Sequence, residues 1–430
     1  MKKTVYPNYK TKCGWNALLP AHQEKPQLSE DINSDVVIVG GGYTGLAAAK
    51  RWFEIAPDDT ITMIDASTNS EGSSGRNSGF LIEIALSNDI KSASLKKLTE
   101  CNELTSSTLI KIKEAISNAA LDSQMHRTGV YRVAAGEAGL KSLQKYQEFL
   151  KASNLEFKVL NTKELNKRIG TTYYRKGLYN PHCYLVQPAA LIRNLTDQLP
   201  SAIQYYENTP ALECLKSKSH WIIKTPKAII KTKKVIVANN AFCGKLGFGK
   251  HRVATIYTYA AMTEVLNEQT LSSLGTDNNW GVLPTHRLGS TLRRTIDGRL
   301  MIRSLYHYEK EENIDLITKQ LRYHLKSRYP NLPELDFHSV WGGATGLTLN
   351  GGPLWGEIDK NLFISAGCNG GGVIKGTLFG ELLADSANNR PTPNIQQLFG
   401  RANWMPLDPF RKIGFKLVSM IERNKGKAEI

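Results

Sequence analysis

Gly40, Gly42 and Gly45 stand in the run VVIVGGGYTGLAAA, directly after an apolar stretch and ahead of an alanine-rich one. That order puts a glycine-rich turn between a strand and a helix. A second apolar run, ITMID, ends on Asp65, twenty residues past the last glycine. One glycine makes the tight turn, one lets the backbone approach a pyrophosphate, and one lets helix and strand pack closely. The helix N-terminus faces the negative charge, and the acid accepts hydrogen bonds from a ribose diol. A glycine triplet alone marks only a turn. Strand, glycines, helix, second strand and terminal acid at this spacing mark a dinucleotide site.

At 430 residues the chain exceeds the size at which one hydrophobic core stops growing, so two domains are expected. A hydrophobic content of 41% and a charged content of 22% fit a globular protein rather than a disordered one. The opening MKKTVYPNYKTKCGWNALLP lacks an uninterrupted apolar core and reads as no signal peptide. No run of about 18 uncharged apolar residues predicts a membrane span. The six cysteines, Cys13, Cys101, Cys183, Cys214, Cys243 and Cys368, show no metal-type spacing, and a reducing cytoplasm is the expected setting. The net charge of +16 is spread along the chain without aromatic interleaving. That pattern argues against nucleic acid and leaves an anionic membrane surface or an anionic cofactor and substrate.

Residues 1–34 read as a polar arm lying over the surface, and residues 35–66 as a βαβ unit. Ile90, Leu95, Leu98, Leu104, Leu109, Ile112 and Ile116 fall at helical spacing within 87–119. VYRVAA reads as a strand, GLKSLQKYQEFLKAS and QPAALIRNLTDQL as helices, and residues 211–242 as short strands closing in the buried VIVAN. From Arg252 to Ser304 strand signals alternate, with a hairpin turn at Asp297-Gly298, and a helix follows near 314–328. The chain then returns to a strand and glycine-rich turn, NLFISAGCNGGGVIKGTLFGELLAD, with a helix starting after Gly372. The pattern is a dinucleotide domain interrupted by an antiparallel-sheet domain.

Two further clusters carry chemistry. GSSGRNSGF, residues 72–80, offers backbone amides with Ser73, Ser74, Arg76 and Asn77 to wrap a pyrophosphate and a ring edge. AGCNGGGVIKGT puts three glycines at a helix start, where the dipole suits the negative N1 and C2 carbonyl edge of a reduced flavin.

With these motifs the chain resembles the FAD-dependent oxidoreductases of the D-amino-acid oxidase and glycine oxidase type, from about Asp35 to Asp385. The resemblance is carried by VVIVGGGYTGLAAA, GSSGRNSGF, HRTGVYRVAA, VIVANNAF, DGRLMIRS, WGGATGLTLNGGPLWGE and GCNGGGV. The GRN form of the second motif, with Trp341-Gly342-Gly343 followed by Thr348, Leu349, Asn350 and Pro353, looks most like the gamma-glutamylputrescine oxidase branch. The implied fold is α/β with an α+β substrate part: a Rossmann-like FAD-binding domain (35–119, 185–250 and 336–390) interrupted by an antiparallel-sheet substrate domain (120–184 and 251–335). The arm precedes it, and a basic tail (391–430) follows.

The implied activity is oxidation of a carbon–nitrogen bond by hydride transfer to flavin N5, giving an imine that hydrolyses; oxygen or another acceptor then reoxidises the flavin. By the same resemblance Gly40, Gly42 and Gly45 face the pyrophosphate and Asp65 the ribose. Ser74, Gly75, Arg76, Asn77, Ser78 and Gly79 line the pyrophosphate and isoalloxazine. Asn369, Gly370, Gly371, Gly372 and Val373 meet the pyrimidine edge of the ring.

The chain departs from the family in three places. Where amino-acid oxidising members carry Gly-Leu-Arg-Pro, with an arginine clamping the α-carboxylate, this chain has Gly346-Leu347-Thr348-Leu349. That favours a small amine, unless Arg127, Arg132, Arg293 or Arg303 takes the role. No cysteine stands ahead of that turn, so FAD is expected to be noncovalent. Gly371 occupies the position where relatives often carry histidine.

An amino acid, a sarcosine-like compound or an aminophosphonate remains an alternative substrate, and a flavin-binding accessory protein an alternative role. Candidates for the substrate face are Tyr257, Tyr259, Arg303 and Trp341, with Tyr306 and His307; strand alternation places Tyr257 and Tyr259 on one face. The pair His182 and Cys183 reads as a loop feature, and no metal is expected. The tail reads as a basic amphipathic helix, solvated at the surface rather than lying on lipid.

Overall fold

A computed structural model describes residues 5–84 and 95–430. Its first sheet is built on the strand Ile32–Val39, whose burial pattern becomes continuous from Val36 onwards. Parallel strands with both faces covered read as unbroken apolar runs, which explains VVIV, ITMI and VIV. Ile32–Val39 pairs in parallel with Ile61–Ile64 on one side and Ile229–Val237 on the other. Gln204–Tyr206 and Leu362–Ala366 extend the sheet, again in parallel. Leu354–Asp359 closes one edge antiparallel to Leu362–Ala366, and Glu213–Lys216 and Trp221–Lys224 pair outward from Ile229–Val237. Two helices, Tyr43–Ile55 and Ile374–Ala387, pack against each other with Leu46, Trp52 and Leu383 in the core. Gly380 makes their close approach possible, because a Cβ there would overlap the carbonyl of Thr44.

The second sheet has the order Phe337–Leu347, Ala254–Thr263, Leu300–Tyr308, Thr291–Arg294, Trp280–Pro284, Val130–Ala134, Lys176–Asn180 and Lys158–Asn161. All neighbours are antiparallel except Trp280–Pro284 with Val130–Ala134. The helix Ile314–Arg328 covers one face, burying Ile317, Leu321 and Leu325 against it.

Most sequence expectations land close to the observed elements. Helices form at Glu137–Ala152, Pro188–Asp197 and Ile314–Arg328, and the turn at Gly298 joins Thr291–Arg294 to Leu300–Tyr308. The helix expected within 87–119 runs Leu95–Ala115; Ile90 lies outside the described residues.

Two expectations need correction. Phe337–Leu347 pairs with Ala254–Thr263 in the second sheet, although its segment was grouped with the dinucleotide domain. Sequence proximity to the glycine motif does not reveal that one strand crosses back before the chain returns. The arm does not simply lie over the surface. Cys13 and Trp15 are fully buried, and the Trp15 indole donates to the Asn77 carbonyl at 2.9 Å. The apolar and aromatic side chains scattered through a polar segment fill the seam between the sheets.

Candidate active site

A large cavity of about 1090 Å³ runs between the carboxyl ends of the parallel strands and one face of the second sheet. Open parallel sheets bind ligands at that end, where the strand order reverses. Gly40, at φ +115°, turns the chain out of Ile32–Val39, and the helix Tyr43–Ile55 starts at the cavity. Its N-cap is Gly42, which has no side chain to cap the helix; the Tyr43 N–H reaches the Ser74 hydroxyl at 3.3 Å, and the amides that remain at this helix start suit an anion. Gly45 is turned away from the cavity; a Cβ there would overlap the carbonyl oxygen of Gly40. Its part is packing.

Asp65 sits at the cavity wall. Its Oδ2 accepts the Gly41 N–H at 2.6 Å and its Oδ1 the Ser67 N–H at 2.9 Å. Burial pushes its carboxyl above the usual range, and those backbone donors pull it back. Among the described residues the Asn69 amide, only 3% exposed and on the same wall, has a partner for neither its oxygen nor its nitrogen, and the buried Oδ1 of Asn239 has none either. Buried amides without partners are costly in a finished core. Here they fit a polar ligand along the wall. Neither was singled out from sequence, although Asn239 follows the buried strand VIV at its carboxyl end, where a contact is expected.

The second cluster forms the short helix Ser73–Arg76. Ser74, Gly75, Asn77 and Ser78 line the cavity. Arg76 lines it as well, but its guanidinium is engaged elsewhere. Nε donates to the Glu71 carbonyl (2.7 Å), Nη1 to the Gly342 carbonyl (2.9 Å), and Nη2 to the Thr11 carbonyl (2.7 Å) and the Glu71 carboxylate (2.8 Å). The Tyr9 ring covers it at 4.0 Å. The arginine therefore joins arm, loop and second sheet. The Asn77 side chain folds onto its own loop, bonding the Ser74 carbonyl and the Gly79 N–H. Gly79 does not line the cavity; it packs on Val186 and Arg293.

The third cluster completes the wall. Asn369, Gly370, Gly371, Gly372 and Val373 all line the cavity ahead of the helix Ile374–Ala387. Gly370, at φ +82°, faces open space. The Asn369 side chain holds the preceding loop, accepting the Thr348 N–H at 2.9 Å and donating to the carbonyls of Gly351 and Gly367.

The second sheet supplies the facing wall through one row of paired residues. Trp341 pairs with Ala260, Ala260 with Arg303, Arg303 with Thr291, and Leu283 with Arg132. Residues paired directly across strands share a face, and all six line the cavity. Tyr257 and Tyr259 belong to the opposite face and do not line it. Both are buried in the core beneath the helix Ile314–Arg328, and the Tyr259 hydroxyl accepts the Glu312 N–H at 2.7 Å. Alternation had put them together correctly, but the side they face is core. Thr258 takes the cavity side between them, and Tyr306 lies there too, whereas His307 packs on Tyr259 away from the cavity.

Of the four arginines proposed for an anion clamp, two reach the cavity. Arg127 pairs with Glu83 at the surface. Arg293 is buried and donates to the carbonyls of Ser78 and Val186. Arg303 donates from Nε to Thr258 (3.0 Å) and from Nη1 to the Tyr306 hydroxyl (2.7 Å), and Nη2 has no protein partner among the described residues. The Arg132 guanidinium stacks on Tyr146 at 5.1 Å, and its buried Nε is unbonded. At the rim stand three exposed cations, Lys145, Arg287 and Lys425, with no ion-pair partner among the described residues. His182 lies near Glu83 and Arg127, and no metal-ligating cluster occurs among the described residues.

The model of the family described as DAO, FAD dependent oxidoreductase, matches residues 35–386. The chain belongs to that family. It is an FAD-dependent oxidoreductase, and the uncapped helix, Asp65, the unpartnered asparagines and the open glycine turn provide a cradle that fits FAD. Among curated relatives, the gamma-glutamylputrescine oxidoreductase of Escherichia coli (strain K12) is 27% identical over 375 residues, covering 83% of this chain and 84% of that one. A probable oxidoreductase, OrdL, of Rhizobium meliloti (strain 1021) is 24% identical, covering 88% of both. Glycine oxidase from Geobacillus kaustophilus shares the fold with a TM-score of 0.72 at 18% identity, covering 84% of this chain and 96% of that one. No helix among the described residues is long and apolar enough to cross a membrane.

Proposed function

We propose that this DAO-family protein oxidises the C–N bond of a small amine that carries an anionic group remote from the nitrogen. FAD, held noncovalently, supplies the hydride acceptor. The observation that carries the reading is the Arg132 guanidinium in the cavity, which has no hydrogen-bond partner among the described residues. With sheet strands about 4.8 Å apart, its place in the row lies about 14 Å from Arg303. Trp341 and Ala260 floor the opposite end of the row with apolar surface. A substrate spanning the row would present its amine near the glycine clusters and its anion to an arginine. Lys145, Arg287 and Lys425 at the mouth would raise the local concentration of an anion before it enters. No acid or base need act on the reacting carbon beyond orientation, because the coenzyme performs the chemistry.

A second reading follows from Arg303, whose free Nη2 edge would clamp an α-carboxylate in place of the missing family arginine, making the substrate an amino acid. The experiment is anaerobic bleaching of the flavin band, at about 450 nm, by three compounds of matched length: an ω-amino acid, the corresponding alkylamine and the α-amino acid. Fastest bleaching by the ω-amino acid is expected. Preference for the α-amino acid would select the second reading, and colourless protein or bound FAD that no amine bleaches would defeat both.

A further inference from the structure

The helix Phe410–Lys425 has no buried residue, yet it is not a loose tail. One face is fastened to the body. The Arg411 guanidinium donates to the Tyr308 hydroxyl and to the carbonyls of Lys250 and Val253, and Phe415 packs on the Tyr308 ring at 5.5 Å. At the other end Glu422 meets His286 at 3.3 Å. The opposite face is an apolar strip. Phe410 is 70% exposed, and Ile413, Leu417, Val418, Met420 and Ile421 are each between 40% and 59% exposed. Their spacing of three, four and seven keeps them on one stripe. Trp404, also 58% exposed, stacks on His251 six residues before the helix start. Lys412, Lys416 and Arg423 form an exposed cationic row along one side of it.

We propose that this face docks the protein on an anionic lipid surface, lying in the headgroup layer with the apolar strip inserted. Charge complementarity favours lipid over a protein partner. The helix carries five basic residues against one acidic, and the whole chain is strongly cationic. The exposed stripe lies on a single helix. A flat, deformable headgroup layer accepts that shape, and an edge tryptophan suits its boundary. Because Glu422 and Lys425 at the end of the helix also line the cavity, docking would bring the cavity mouth close to the surface.

The test is co-sedimentation of the purified holoenzyme with vesicles of phosphatidylglycerol and phosphatidylcholine, or of phosphatidylcholine alone. Binding to the anionic vesicles at least about tenfold stronger than to the neutral ones, weakened by salt, is expected. The double variant Ile413→Glu/Leu417→Glu should remain in the supernatant while keeping its FAD and its amine turnover without vesicles, which separates lost docking from lost folding. Equal binding by wild type and variant overturns the proposal, as does wild type that ignores both vesicles. A dimer that the variant converts to monomer would show instead that a second copy covers the strip.

Discussion

Glu429 caps a helix whose N-cap lies 293 residues earlier in the chain: its Oε1 accepts the N–H of Gly136 at 2.7 Å and that of Ala135 at 2.9 Å. The helix Glu137–Ala152 has no side-chain cap of its own, because its N-cap is Gly136. A carboxylate there satisfies orphan amides and complements the dipole. Glu429 is 2% exposed, and its own carbonyl accepts from Arg328 at 2.9 Å. Glu429→Ala should lower stability by about 1–3 kcal/mol, because two buried amides lose a charged acceptor. A Cβ at Gly139 would occupy the carboxylate's place. Gly139→Ala should therefore destabilise the wild type and be nearly neutral in the Glu429→Ala background. Additive effects in denaturant titrations of the four proteins would refute this coupling.

Gly45→Ala tests the cofactor turn without touching the cavity. The added methyl has no room against the Gly40 carbonyl, so the helix must move off the turn. We expect FAD content after purification to fall by about tenfold, with strain on the order of 1–3 kcal/mol. Full flavin occupancy in the variant would mean that the turn relaxes freely.

Arg132→Met and Arg303→Met separate the two substrate readings. If Arg132 receives the remote anion, its loss should raise KM for the anionic amine by about 10- to 100-fold, corresponding to one charge-assisted pair of roughly 1.5–3 kcal/mol, with little change in kcat. Arg303→Met should then act mainly through the displaced Tyr306. The reverse ranking would favour an α-carboxylate at Arg303. Reversing charge at the rim with Arg287→Glu should lower kcat/KM and flatten its dependence on salt.

His324 gives the acid limb of stability. Burial and the nearby cations Arg328 and Arg423 lower its pKa from the usual 6.5 to about 4, while the Ser304 hydroxyl lies 3.3 Å from Nδ1. The unfolded chain thus takes up the proton first. The contribution is intact above about pH 6.5 and is lost as pH falls from there towards 4, amounting to about 1–3 kcal/mol. His324→Leu should flatten the decline in melting temperature between pH 7 and 4. An unchanged slope would assign the acid limb to other groups.

The dinucleotide half of this protein was open to reading from its residues because its signals are local. VVIV, the glycines, the helix and ITMID lie within 30 contiguous positions from Val36 to Asp65, and each answers to a short-range rule of turn, packing or dipole. GSSGRNSGF and GCNGGGV were likewise placed at the cavity by their own composition, and the helices Pro188–Asp197 and Ile314–Arg328 by periodicity. Side-chain roles were less legible. Arg76 and Asn77 fell in the right loop, but their polar groups turn to carbonyls and amides that only folding brings near.

The amino-acid order by itself determined the strand–turn–helix unit, the positions of three glycine clusters and the family to which the chain belongs. Tertiary structure alone decided that Tyr257 and Tyr259 face the core while Thr258 and Arg303 face the cavity, that Phe337–Leu347 joins the second sheet, and that the arm and Glu429 reach across the molecule to finish the seam and a helix. The reason is the range of the forces. Turn chemistry and periodicity act over a few residues, whereas the facing of a strand and the partner of a buried polar group depend on what distant segments pack against it.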